Sequence, residues 1–97
     1  MEKVFVLEEQ LNNYYDDLVT RIYLFKTEED AIYYLQELIE EWRRETIICY
    51  DYTEEDFEND LYESSFNNKT YYYASLEDCM SYELSITEKP IMSFDFI

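Results

Sequence analysis

The chain has 97 residues, of which 24 are acidic and seven basic, and its formal net charge is −17. It contains no histidine and no glycine, which excludes catalysis by a histidine base and the glycine-rich loops that hold phosphates. Because 47% of the residues are hydrophobic, we expect one folded domain over residues 1–97 rather than a disordered acidic tail.

The first predicted elements are two strands. Residues 4–7 are a short apolar run. Residues 18–25 alternate between two faces, one with Leu18, Thr20, Ile22 and Leu24 and the other with Val19, Arg21, Tyr23 and Phe25. Residues 8–17 between the strands are polar and include Asn12-Asn13, and asparagine tolerates turn conformations. We therefore predict a β-hairpin with a long tip.

The clearest predicted element is a helix over residues 28–45. Thr27 is a favourable N-cap, and the acids that follow it suit the positive end of a helix dipole. Apolar residues recur at helical spacing and form the face expected to be buried: Ala31, Leu35, Leu38 and Trp42. The opposite face carries Glu29, Tyr33, Glu37, Glu40 and Arg44. Arg43 and Arg44 fall in the predicted last turn, where basic residues are favourable.

Shorter elements follow this helix. Residues 46–50 are apolar and partly β-branched, and are predicted to be extended. Thr53 with three following acids repeats the capping pattern of Thr27, which predicts a short helix over residues 54–61. Residues 61–66 and 69–74 flank Asn67-Asn68 and predict a tight hairpin.

The last part of the chain is predicted to complete a sheet. Residues 75–78 indicate a single helical turn, residues 81–87 alternate as in a half-buried strand, and residues 92–96 suit an edge strand or a docking tail. The resulting order, β-β-α-(α)-β-β-β, predicts an α+β fold with a small antiparallel sheet and one main helix packed on one face.

The strongest candidate site is the acidic run at residues 51–63. Such runs are by default solvated faces, but this one has no basic residue and is interleaved with aromatics that can anchor it. Carboxylates three or four positions apart on a helix lie about 5–6 Å apart at Cβ, comparable with successive phosphates on one nucleic-acid strand. We therefore predict that a basic protein surface binds the acids of this run together with three residues of the main helix: Asp51, Glu54, Glu55, Asp56, Glu58, Asp60, Glu63, Tyr33, Glu37 and Glu40.

Other uses of these acids fit the sequence less well. Asp56, Glu58 and Asp60 alternate as in a calcium loop, but the glycine and the final glutamate of an EF-hand are missing. A carboxylate pair for glycoside hydrolysis needs a cleft that a chain of 97 residues seldom builds. We expect no enzymatic activity, no metal and no cofactor.

The two cysteines and the hydropathy pattern bear on location. Cys49 and Cys79 lack the spacing of a disulfide framework and are expected to be reduced, with a disulfide between them as the alternative. No segment is apolar and long enough to suggest a membrane span or a signal peptide. A cytoplasmic location is expected.

In size, acidity, tyrosine content and helix-on-sheet order, the chain resembles small acidic inhibitors encoded by phages, including anti-CRISPR proteins that occupy the DNA site of a nuclease. The resemblance implies a stoichiometric inhibitor, monomeric or homodimeric, that binds a basic nucleic-acid-binding surface of a host defence nuclease by acidic mimicry of phosphates. Carboxylates at this density would repel phosphates, so we expect no direct binding of nucleic acid, and no membrane partner is expected. Two alternatives stay open: an immunity protein or antitoxin that neutralises a nuclease toxin, and an acidic structural or regulatory phage protein.

Overall fold

The computed structural model describes residues 3–13, 18–64, 69–77 and 80–90. In chain order its elements are β1 (Lys3–Asn13), β2 (Leu18–Phe25), α1 (Glu28–Cys49), α2 (Glu54–Asp60), β3 (Leu61–Ser64), β4 (Tyr71–Leu76) and β5 (Met80–Pro90). The strands form one sheet in the order β2-β1-β5-β4-β3, and every neighbouring pair is antiparallel. The predicted α+β class, with one main helix and an antiparallel sheet, is confirmed.

Both helices begin at the predicted threonine caps. The Thr27 Oγ1 accepts a hydrogen bond from the backbone N–H of Asp30 at 3.2 Å, and the Thr53 Oγ1 accepts one from that of Asp56 at 3.1 Å. Each cap satisfies an N–H group that has no partner inside the helix. Three acids occupy the first turn of each helix, at its positive end.

Helix α1 is longer than predicted, and the prediction that residues 46–50 are extended is wrong. Thr46 is buried and continues the core-facing stripe one turn beyond Trp42, and Ile47 packs against the same core. The helix cost of a β-branched residue is only a few tenths of a kcal/mol, which this burial outweighs. Arg43 and Arg44 therefore lie within the helix, and its last turn contains no basic residue.

Asp51 terminates α1 in a left-handed backbone conformation, with φ of 53°. The N–H groups of Asp51 and Tyr52 donate to the carbonyls of Ile48 and Ile47 at 3.3 and 3.0 Å, which is the Schellman arrangement that usually requires glycine. The chain has no glycine, and aspartate is one of the residues that tolerates this conformation best after glycine.

Two further boundaries differ from the sequence prediction. β1 continues to Asn13, so Asn12 pairs with Leu18 inside the hairpin and does not form its turn. β4 continues to Leu76, which is fully buried and pairs with Met80, so the helical turn predicted at residues 75–78 is wrong for its described part. The period-2 burial of Tyr72, Ala74 and Leu76 explains the extension. The predicted turn residues 67–68 and tail 92–96 lie outside the described residues.

The core lies between α1 and one face of the sheet. Trp42 stacks on Tyr82 of β5, with ring centroids 4.9 Å apart and ring planes 8° apart. Phe57 of α2 packs edge-on against Trp42, with ring centroids 6.0 Å apart. The cross-strand register places Leu7, Leu84 and other buried residues on this face. The opposite face of the sheet, which we call the open sheet face, has no helix of the described residues against it and exposes Leu18, Ile22 and Leu24 by 60–66%.

We expect Asp51→Gly to be more stable than Asp51→Ala by about 1 kcal/mol, because only glycine adopts the left-handed conformation without a steric cost. Both variants remove the same charge, so their difference isolates the backbone. Urea unfolding followed by the fluorescence of Trp42 measures it. Equal stabilities would contradict the importance of the left-handed residue for ending α1.

Candidate functional site

Negative charge is concentrated on the helical side of the molecule. Fourteen acidic residues and two arginines lie between Glu28 and Ser64, the segment that contains both helices and β3. The outward stripe of α1 is the predicted one, and all of its members are exposed: Glu29, Tyr33, Glu37, Glu40 and Arg44. We call this stripe, together with exposed Glu54, Glu55, Asp56 and Glu58 of α2, the acidic helical face.

The fold brings part of the acidic run next to α1. Glu54, at the start of α2, and Glu40, on the outer stripe of α1, line one shallow groove of about 480 Å³. Ile47 and Ile48 form its apolar part, and Ile48 is 71% exposed. Two acids that are 14 positions apart in the sequence thus border one surface. Tyr33 and Glu37 lie nearer the start of α1 and do not line this groove.

Arg43 joins α1 to α2 and β3. Its guanidinium contacts the carboxylate of Glu58, and its Nη1 donates to Glu63 Oε2 at 2.9 Å. The same guanidinium lies 5.4 Å from the centre of the Phe57 ring, a distance at which cation–π attraction operates. Of the predicted binding residues, Glu58 and Glu63 therefore already have an internal cation.

The remaining predicted residues occupy different settings. Asp51 is exposed at the end of α1, and Asp60 is half-buried at the end of α2. Glu55 and Asp56 are exposed in the first turn of α2. The predicted acids with free access to a partner are thus Asp51, those on the outer stripe of α1 and those in the first turn of α2.

Tyrosine hydroxyls donate to carboxylates at several places. The buried carboxylate of Glu9 accepts from Tyr82 and, at 3.1 Å, from Tyr23. Burial, followed by the hydrogen bond and charge of Glu9, raises the pKa of Tyr82 above its ordinary value. Burial and Glu63 do the same for the pKa of Tyr72. The hydrogen bond to Glu83 raises the pKa of Tyr71 to about 12.

The functions of Arg43 and Glu9 were not predicted from the sequence. The sequence pattern predicts Arg43 at a helix end and Glu9 in a polar hairpin tip. A signal for Glu9 existed, because it alternates with Leu7 and Leu11, which point to the core side of a strand. No sequence signal identifies Glu58 and Glu63 as the acids that Arg43 would meet.

The open sheet face contrasts with the helical side. Directly opposite residues in neighbouring strands share a face, and the register therefore places only three charged side chains of the described strands on the open sheet face: Glu8, Glu83 and Lys89. Its other described residues are aliphatic, hydroxyl, amide or tyrosine side chains. Among the described residues, charge is therefore segregated between the two faces of a thin molecule, whose extents are 50 × 28 × 19 Å.

Within the described ranges, no group of three or more acidic or cysteine side chains is arranged to hold a metal ion. Cys49 is exposed and free, and Cys79 lies outside the described residues. No helix in the described part of the chain is both long and apolar enough to cross a membrane. Comparisons with protein-family models, with curated proteins and with solved structures find no match to this chain.

We expect Arg43→Gln to lower the free energy of unfolding by about 1–2 kcal/mol, because it leaves Glu58 and Glu63 side by side without their cation and removes the contact with Phe57. Arg44→Gln removes the same charge from an exposed position and should change stability by less than about 0.5 kcal/mol. Urea unfolding of both variants at one ionic strength is the measurement. Equal losses would show that only net charge matters.

Stability should fall as the pH rises above about 10, the ordinary tyrosine pKa. The folded-state pKa of Tyr82 and Tyr72 is raised, so their contribution is complete below that pH and is lost as the pH rises toward their folded-state values. In Tyr82→Phe the free energy of unfolding should fall less steeply with pH, by up to about 1.4 kcal/mol per pH unit. Urea unfolding between roughly pH 8 and pH 11.5 tests this, with Tyr33→Phe, an exposed tyrosine, as the control. A slope unchanged by Tyr82→Phe would contradict the assignment.

Proposed function

We propose that the protein is a stoichiometric inhibitor whose acidic helical face binds the basic nucleic-acid-binding surface of another protein, with a CRISPR-type defence nuclease as the partner class. The observation that carries this proposal is the segregation of charge. Fourteen acids and two arginines lie in the helical segment. One of these arginines, Arg43, is already ion-paired with Glu58 and Glu63. Acidity that served only solubility would have no reason to avoid the open sheet face.

The dimensions of α1 support mimicry of a nucleic-acid backbone. The helix has 22 residues and is therefore about 33 Å long, close to one turn of B-DNA, which is about 34 Å. Glu37 and Glu40 lie three positions apart on the helix, where Cβ atoms are about 5–6 Å apart. A groove lined by lysine and arginine would meet carboxylates at spacings it can accept in place of phosphates.

Rigidity is the second requirement of such mimicry. The inner side of α1 is anchored by Leu35, Leu38 and Trp42, each at most 6% exposed. Arg43 ties α2 to α1 on the flank. The carboxylates are thus held in place before binding, and the partner does not have to order them, which lowers the entropy cost of association.

The proposed mechanism is competition for the basic surface. Long-range attraction between the acidic protein and the basic partner speeds association, and salt screens it. Once docked, the carboxylates of the acidic helical face occupy the positions that phosphates would take, so nucleic acid and inhibitor exclude each other. Binding should therefore fall steeply as ionic strength rises and should be reversed by duplex DNA.

We expect Glu37→Lys/Glu40→Lys to lower capture of the partner at least about tenfold. The experiment immobilises the chain, applies a heparin-binding fraction of bacterial lysate, elutes with duplex DNA and identifies the eluted proteins by mass spectrometry. Glu77→Lys/Glu88→Lys is the matched control, because it changes the net charge equally at exposed positions outside the helical segment. The purified partner's nuclease activity should be inhibited at a one-to-one ratio by the native protein and by the control.

Equal loss of capture in the two double variants would show that net charge alone drives binding and would overturn the acidic helical face as the site. Capture that resists both high salt and duplex DNA would overturn competition for a nucleic-acid surface.

A further inference from the structure

A cleft separates α1 from the sheet on the side of β2. Its volume is about 300 Å³, at the low end of the roughly 300–1,000 Å³ typical of ligand pockets. Aromatic rings form much of its wall: Tyr34 and Trp42 from α1, and Tyr23 and Tyr82 from the strands. We call it the Trp42 cleft. It lies on the opposite flank of α1 from the groove that contains Glu40 and Glu54.

Charged groups of both signs border the Trp42 cleft, with an excess of acid. Glu41 and Glu45 are exposed on α1, and the buried carboxylate of Glu9 is on the sheet side. Arg21 of β2 is the one basic side chain among the described lining residues. Three carboxylates facing one guanidinium repel an anionic ligand and attract a cation.

The arrangement favours a delocalised organic cation over a metal ion. The lining carboxylates belong to no described cluster that could hold a metal, and they are spread around aromatic walls. A guanidinium group can stack on an aromatic ring and donate to carboxylates in its own plane, whereas a compact ammonium group is more strongly hydrated. The cleft therefore suits arginine better than lysine.

The wall of the cleft contains a buried donor whose hydrogen bond is not satisfied. Trp42 is 6% exposed, and its indole N–H has no acceptor among the described residues. A buried donor without a partner carries a cost of about 1–3 kcal/mol. The N–H itself is enclosed by protein, so a guanidinium group in the cleft would contact the lining rings and the carboxylates at the rim.

We propose that the Trp42 cleft is a socket for an arginine side chain of the protein partner. This inference rests on the proposed function for the identity of the occupant. It adds a specific contact to a surface that otherwise recognises charge in general. Arg21 then acts as the internal competitor that partly neutralises the socket when it is empty.

The test uses the isolated protein and small molecules, so no partner is needed. Trp42 is the only tryptophan of the chain, and its fluorescence reports on the cleft that it lines. We expect N-acetyl-arginine amide to change this fluorescence with a midpoint on the order of 1–10 mM at constant ionic strength. N-acetyl-citrulline amide, a neutral compound of nearly the same shape, should give little change, and N-acetyl-lysine amide should bind more weakly.

Two variants are expected to act in opposite directions. Glu41→Gln/Glu45→Gln should raise the midpoint concentration at least about threefold, because it removes two negative charges from the rim. Arg21→Gln should lower the midpoint concentration by about twofold or more, because it removes the positive charge that repels the ligand. Glu37→Gln/Glu40→Gln is the matched control on the same helix and should leave the midpoint unchanged. Circular dichroism verifies that each variant is folded.

Equal responses to the arginine and citrulline compounds, or a shift in the same direction for both rim variants, would overturn the socket. That failure is distinguishable from failure of the proposed function. The small-molecule titration involves no partner, and capture of the partner is tested by substitutions outside the cleft. If Glu41→Gln/Glu45→Gln abolishes the titration but leaves partner capture unchanged, the cleft binds guanidinium but the partner's arginine does not use it.

Discussion

The packing of Trp42 against Tyr82 is the contact on which the rest of the structure depends. It presses α1 onto the centre of the sheet, because Tyr82 lies on β5, the central strand of the five. Once this side of α1 is buried, the opposite stripe must face solvent, and that stripe carries Glu29, Glu37 and Glu40. The same contact forms one wall of the Trp42 cleft. The acidic helical face and the cleft are thus two consequences of one buried aromatic pair.

A chain with so few cations must satisfy its carboxylates in another way, and tyrosine provides it. Glu9, Glu63 and Glu83 each accept a hydrogen bond from at least one tyrosine hydroxyl. A neutral phenol donates to a carboxylate without reducing the net charge that a basic partner would recognise. This explains part of the tyrosine content of the chain. Some tyrosines serve the core, some hold acids in position, and Tyr33 and Tyr62 remain exposed by more than 60%.

The two proposed binding features differ in kind. The acidic helical face relies on many exposed charges, each worth little alone in water, and its selectivity is for positive surfaces in general. The Trp42 cleft is partly enclosed, so an ion pair and ring contacts there are less screened by solvent. A partner that used both would be attracted by the first and positioned by the second. The arginines of the chain itself occupy both kinds of place. Arg43 bridges Glu58 and Glu63 beside the acidic helical face, and Arg21 borders the Trp42 cleft.

The sequence by itself determined the fold class, both capped helices and the stripe of acids along α1, because capping and 3.6-residue periodicity are local properties. It misplaced the end of α1 and the end of β4, because burial of Thr46 and Leu76 against distant residues outweighed their local preferences. Only the tertiary structure decided that Glu40 and Glu54 border one groove, that Arg43 occupies Glu58 and Glu63, and that Glu9 is buried beneath two tyrosines. These are contacts between residues far apart in the chain, and the spacing of residues along a sequence carries no information about which strand or helix will lie across from another.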